Sequence, residues 1–413
     1  MRRYLLIFLA LTSGFAWLYP AFSPPGIADL QDAGALIGRI LRIACPVLLL
    51  TLSLKKIIRA VTKKKVYLMI FASFIFLPLG CIAVFPDINY LIYVVLPLVA
   101  SGMALMGLLA LSEQEISLWL SWVGVVALLF ILVGLTKYGF EMPSYYGRPR
   151  LHLGFVHPTQ TASALLSVII FFAINLNRQV VIIKNMLIFF MLTFFILMMY
   201  FADSRNTMVT SLFFLSGYIA FRYIRRPILR KASVILVMLM VIVVHLFIIA
   251  IDLQSGIGFL ADKMSSGRLA IILELVQNLK GNSWYSFLLG PSAFVVKKLD
   301  DAVFLGFAAI DSVYISLLVN YGILQLVSFL GLMLFVGLRL SRMSNSVYIA
   351  TWSAVMFYFT LDAQGITASN LIIFSLLAIS IKASVDKIRI NKSQSSSILP
   401  LKSHFRTLAV VKR

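Results

Sequence analysis

The chain has 413 residues, 61% of them hydrophobic and 12% charged, with a mean hydropathy of +0.99 and a formal net charge of +21. Apolar runs of about 20 residues recur along its whole length, and about 20 helical residues cross the hydrocarbon core of a bilayer. That composition excludes a string of soluble domains, and the lack of ~10-residue segments of alternating polarity excludes a transmembrane β-barrel.

Taken in chain order, the apolar runs predict twelve membrane-spanning helices. The first six are Tyr4–Phe22, Ala35–Leu54, Val66–Phe85, Tyr90–Leu111, Leu118–Thr136 and Thr159–Asn177. The second six are Asn185–Phe201, Asn206–Phe221, Ala232–Ile251, Asp311–Leu338, Ser346–Leu361 and Ala368–Ala383. An even number of crossings puts both termini on one side. Residues 1–383 therefore read as a single transmembrane domain, and residues 384–413, with "NKSQSSS", as a disordered cytoplasmic tail.

The charges sort by loop. One set, containing "MRR", "KKIIRAVTKKK", "RYIRRPILRK", "RLSR" and the tail, holds 25 Lys and Arg against 3 Asp and Glu. The alternate set holds 9 against 12, and Arg39 and Arg42 fall inside the second span. The positive-inside rule assigns the first set to the cytoplasm. The basic excess is thus an orientation signal rather than a nucleic-acid footprint. "RR" before the first apolar run resembles a signal peptide, but the later spans favour an uncleaved first helix. Cys45 and Cys81 both fall within spans and read as packing residues, as does His245 in the ninth span.

Two outer loops carry most of the polar interest. In loop 252–310, "RLAIILELVQNLK" (268–280) spaces Leu269, Ile272, Leu273 and Val276 at i, i+3, i+4 and i+7, an amphipathic helix suited to the membrane interface. Loop 137–158 contains "YYGRPRLHLGFVHP", with Arg148, Arg150, His152 and His157 in ten residues. The arginines of the outer set are Arg148, Arg150, Arg205 and Arg268, each near a predicted membrane boundary; Arg39 and Arg42 stand one turn apart on the outer half of span two. Guanidinium pairs bidentately with phosphate and keeps its charge, and arginine inside a span usually faces the bundle interior or a wet cavity. Such a set suggests a phosphate held at headgroup depth, and a lipid-linked diphosphate suits it.

Each of these residues has a plainer explanation. Loop arginines snorkel to headgroups, Pro158 fits a helix's first turn, and Asp311 is an ordinary helix start signal. Arg205 fits its plain explanation least, because a cation in a helix's first turn opposes the macrodipole unless Asp203 or an anionic ligand offsets it. The sequence has no HExxH, CxxC, DxD, Walker or GxGxxG pattern, so no metal and no cofactor is expected.

In this order, "RLHLGFVHPTQTA", Ser204-Arg205, Ser266-Gly267-Arg268, the Asp311, Tyr314, Tyr321, Gly322 series and "DAQGITASN" resemble the O-antigen and capsule repeat-unit polymerase family, within the superfamily that also holds the O-antigen ligases. The resemblance covers roughly residues 140–380, with Thr159 standing where the family usually has Asn after His-Pro. It implies an all-α, polytopic glycosyltransferase of the C type (GT-C-like), working without metal on the outer face of a bacterial cytoplasmic membrane. Its substrate is then an oligosaccharide on undecaprenyl diphosphate, whose growing chain moves to the non-reducing end of a fresh lipid-linked unit. Arg205, His157, Arg148 and Arg150 are the expected catalytic residues. Arg268, Arg39, Arg42, His152, Asp311 and Tyr314 are the expected diphosphate or substrate contacts. Membrane lipids, a chain-length regulator and a flippase are the implied partners, and nucleic acid is not. Two readings stay open beside it: a ligase that transfers glycan to lipid A core, and a lipid-linked sugar transporter or flippase.

Overall fold

A computed structural model describes residues 2–18, 28–61, 65–138, 144–145, 148–151, 153, 158–175, 186, 193, 196–201, 204–224, 226–250, 283–292, 295, 312–343, 346–361 and 376–385. Apart from one small hairpin these residues form helices. The first five are α1 (Arg2–Leu18), α2 (Ala28–Val61), α3 (Lys65–Val84), α4 (88–109) and α5 (Glu113–Tyr138). The hairpin pairs β1 (Ser144–Tyr145) with β2 (Arg148–Pro149), antiparallel, Tyr145 opposite Arg148. Then follow α6 (Pro158–Asn175), α7 (196–201), α8 (Arg205–Tyr223), α9 (Pro227–Ala250) and α10 (Trp284–Leu289). The last are α11 (Val313–Tyr321), α12 (Ile323–Leu340), α13 (Ser346–Leu361) and α14 (Leu376–Val385).

Among the described residues four stretches are long and apolar enough to cross a bilayer: Lys65–Val84, Leu118–Lys137, Pro227–Phe247 and Ile323–Leu340. Helix α9 shows how such helices are used. Val234, Met238, Val241 and His245 make a buried stripe, while Leu236, Leu239, Val243, Leu246 and Phe247 are exposed on the other side. A helix apolar all round has both faces away from water, and so large an exposed apolar surface suits lipid rather than solvent. The chain has the character of a multi-pass membrane protein.

Small residues let the helices approach closely, as membrane packing requires. A Cβ on Gly102 of α4 would come within 2.5 Å of Phe74 on α3, and one on Gly337 of α12 within 2.6 Å of Trp352 on α13. Helices α8 and α13 run antiparallel. The Phe213 and Phe357 rings stack at 4.2 Å, and a Cβ on Gly217 would lie 3.6 Å from Ala350; such a ring pair contributes about 1 kcal/mol.

At one end of the bundle, basic side chains tie turns together. Buried Arg230, at the start of α9, donates from Nε to the Ile224 carbonyl (2.5 Å), from Nη2 to Phe221 (2.6 Å) and from Nη1 to Met343. It joins the α8–α9 and α12–α13 turns. Lys382 of α14 donates to the carbonyls of Leu109 (2.9 Å) and Leu111 at the α4–α5 turn. Arg339 reaches Ser384 at 3.4 Å. These belong to the loops and boundaries that the charge pattern groups together.

The expected tenth span, Asp311–Leu338, is not one helix. Tyr314 and Phe329 are fifteen residues apart, yet their ring centroids lie 6.4 Å apart; a continuous helix would separate them by about 22 Å along its axis. The chain folds back at Gly322, and α11 and α12 form a helical hairpin. Gly322 has φ +82, and a Cβ there would meet the Leu288 carbonyl oxygen at 2.5 Å. Both the left-handed backbone and the close approach require glycine. Side chains of the hairpin bond carbonyls inside two π-helical turns, Ala72–Phe76 in α3 and Leu91–Val95 in α4. Gln325 donates to Ser73, and the Tyr321 hydroxyl donates to Val94 at 2.6 Å. Cys45 and Cys81 are buried free thiols.

Candidate functional site

The end of the bundle opposite the Arg230 staple holds the polar stretches singled out in the sequence. Ser204 precedes α8, and its amide donates to the Met199 carbonyl at 3.2 Å, turning the chain sharply out of α7. Its hydroxyl pairs with Thr207 at 2.8 Å rather than capping a backbone amide. Among the described residues Arg205 therefore opens α8 without a side-chain cap, and its own side chain lies outside the described set.

The Arg148–Arg150 stretch is brought to this same turn. The Leu151 amide donates to the Phe201 carbonyl at 3.0 Å, across the α7–α8 turn from Arg205. Arg150 is half-buried. Leu151 and Leu153 are buried, and Leu153 takes φ 47. A Cβ on Gly134 of α5 would lie 2.1 Å from the Leu153 carbonyl oxygen, so that backbone rests directly on the helix and only glycine admits it. Two backbone contacts thus hold Leu151 against the end of α7 and Leu153 against α5. The side chain of Arg148, on β2, is outside the described set.

His152, His157, Arg268 and Asp311 lie outside the described residues, as does the expected amphipathic helix 268–280. Arg39 and Arg42 are on the helical backbone of α2, with their side chains outside the described ones. Tyr314 is 3% exposed, and its hydroxyl donates to the Met356 carbonyl at 2.9 Å. Its place is the protein interior rather than an interfacial belt, and its hydroxyl is engaged there.

No family model, curated protein or solved structure matches this chain.

Two further groups stand out, Asn206, which the sequence did not single out, and His245, which it placed among the packing residues. Asn206, in the first turn of α8, has both amide atoms buried and no hydrogen-bond partner among the described residues. Its neighbours are satisfied: Thr210 donates to the Asn206 carbonyl at 2.8 Å and Ser211 to Thr207 at 2.7 Å. A buried amide without partners is costly, and such groups in native structures call for an explanation by ligand or water. The signal available in the sequence was position alone, one residue beyond Arg205. The other group is His245, read as an apolar-stripe core residue. It is buried, but both ring nitrogens have partners: Val241 O at 2.7 Å and Ser312 Oγ at 3.0 Å.

Among the described residues no group of three or more His, Cys, Asp or Glu side chains is arranged to hold a metal ion. What the described part of the site offers is a turn where the backbone just after the half-buried Arg150 is bonded to the end of α7, next to the helix start that carries Arg205 and the unsatisfied Asn206 amide.

Proposed function

We propose that the protein is a twelve-span membrane glycosyltransferase that elongates a polysaccharide on undecaprenyl diphosphate at the outer face of a bacterial cytoplasmic membrane. The observation that carries this reading is the Leu151–Phe201 hydrogen bond, which keeps the Arg148–Arg150 stretch beside the Arg205 turn. Guanidinium groups gathered there bind the diphosphate. As the bond from the sugar's anomeric carbon to the diphosphate oxygen breaks, charge grows on the leaving phosphate, and preorganised cations stabilise that charge. An acceptor hydroxyl on the next lipid-linked unit attacks the same carbon, with its proton passing to a base, for which His157 is the candidate. Both termini are cytoplasmic, and loop 252–310 faces out.

The test is genetic and biochemical. Deleting the gene leaves single repeat units attached to their final acceptor. Re-expression restores the ladder, and Arg205→Ala does not, at a normal protein level. Complete loss of attached glycan on deletion identifies the ligase activity instead. For the orientation, Ser283→Cys is labelled by an impermeant thiol reagent in spheroplasts; labelling only after lysis inverts the topology.

One observation favours a second reading. Interrupted spans are common binding elements of secondary transporters, and the fold-back at Gly322 interrupts the expected tenth span. On that reading the chain moves lipid-linked sugar across the bilayer. Accumulation of lipid-linked single units on the cytoplasmic face of the deletion strain supports it; accumulation on the outer face supports the polymerase.

A further inference from the structure

We infer that His245 is a positioning residue of the proposed site, fixing the start of α11 and, through it, Asp311. The role of Asp311 rests on the polymerase reading; the hydrogen bonds of His245 do not.

His245 is the one polar member of the stripe formed with Val234, Met238 and Val241. An ionisable residue within a span is expensive and marks function more often than packing. Its bonding assigns its protons. Nδ1 lies 2.7 Å from the Val241 carbonyl oxygen, which accepts but never donates, so Nδ1 carries hydrogen. With one proton on the ring, Nε2 holds a lone pair and accepts from the Ser312 hydroxyl at 3.0 Å. That choice commits the only proton Ser312 has. The Ser312 oxygen then keeps its lone pairs for the Ile315 amide, 3.5 Å away, and so caps α11. The alternative acceptor for the hydroxyl, the Phe359 carbonyl, is 3.5 Å away, longer than the histidine bond.

A second contact backs the first. The His245 ring stands edge-on to Tyr314, centroids 5.0 Å apart and planes at 82°. Tyr314 is itself held by Met356. One imidazole therefore touches the N-cap of α11 and a residue of its first turn. Asp311 precedes Ser312 by one peptide bond, and Asp311 and Tyr314 are two residues of the sequence pattern. A histidine on the ninth span thus sets the pattern on the tenth.

The experiment separates the acceptor at Nε2 from the bulk of the ring. His245→Phe keeps an aromatic edge for Tyr314 but has no acceptor; His245→Gln restores one near the Nε2 position; Ser312→Ala removes a single hydroxyl. In a strain that depends on this chain for its glycan ladder, His245→Phe and Ser312→Ala each lower elongation by about tenfold or more at normal protein level and melting temperature, while His245→Gln stays within about threefold of wild type. The double variant His245→Phe with Ser312→Ala is no worse than either alone, as expected for partners in one hydrogen bond. A second readout needs no glycan. The alkylation rate of Asp311→Cys shifts in the His245→Phe background and stays unchanged with His245→Gln. Equal alkylation in all three backgrounds overturns the inference, as does wild-type elongation by Ser312→Ala. A deletion strain with an unaltered ladder instead sinks the polymerase reading, and alkylation still judges His245.

Discussion

The two ends of the bundle treat their polar groups in opposite ways. At the basic end, Arg230 spends its guanidinium on three backbone carbonyls, and Lys382 spends its ammonium on two. Turns there are short and cross-tied. At the other end backbone contacts seat Leu151 on Phe201 and Leu153 on Gly134, while the Asn206 amide has no partner among the described residues. Ser53, Trp119, Asn320 and Gln325 also have buried polar atoms without partners among the described residues, so the Asn206 amide is distinguished by its place beside Arg205 and not by being unsatisfied. Cations are thus informative by what they are bonded to, not by their number.

The largest effect expected from breaking this contrast is on activity. Arg205→Ala abolishes elongation, a loss of at least about a hundredfold, whereas its melting temperature in detergent stays near wild type. Arg205→Lys recovers little, since a point-charge ammonium lacks the bidentate fork. Full recovery with Lys shows that charge alone matters there.

Arg230→Met has the reverse signature. It strands carbonyls of Phe221, Ile224 and Met343, at about 1–3 kcal/mol for each buried group left unsatisfied. Lower protein level and melting temperature follow, with normal specific activity in the material that survives. An unchanged melting temperature means the staple contributes nothing.

Gly134→Ala is intermediate. Its methyl enters the space of the Leu153 carbonyl, so the loop must lift from α5. Elongation falls by about tenfold or more while the bundle melts normally, because the strain falls on a loop and a placement error of about 1 Å already costs much of a rate. Wild-type activity with Ala shows that the loop's seat on α5 is immaterial.

Asn206→Ala sharpens the contrast further. Removing a buried amide without partners leaves stability unchanged or raises it by about 1 kcal/mol, and elongation falls several-fold. A clear drop in melting temperature shows instead that the amide is structural.

The smallest effect is expected at Trp284, exposed at the start of α10. Trp284→Ala changes stability by less than about 0.5 kcal/mol.

Much of this was legible beforehand, and what was missed has physical causes. Apolar runs located the helices because burial in lipid and burial in protein both demand them. The Arg205 turn was conspicuous because a first-turn cation contradicts the local dipole. The fold-back at Gly322 was hidden, since hydropathy is indifferent to direction; the clue was a 28-residue run, longer than about 20 residues need be, with Tyr321-Gly322 inside it. Arg230 and Lys382 were read as orientation charges because their acceptors are backbone atoms 113 and 273 residues away. His245 looked like core because periodicity reports which face a residue occupies and says nothing of the serine it meets.

Arg230 also imposes an order on assembly. During synthesis its chain leaves the ribosome 113 residues ahead of Met343. Two of its acceptors, Phe221 and Ile224, have already emerged, only nine and six residues ahead of it. A guanidinium entering the membrane boundary is therefore chaperoned at once by its own hairpin, which reaches the bilayer as a finished unit with one donor still on offer. The α12–α13 hairpin docks later against that waiting donor, so the same side chain protects the first unit and recruits the second.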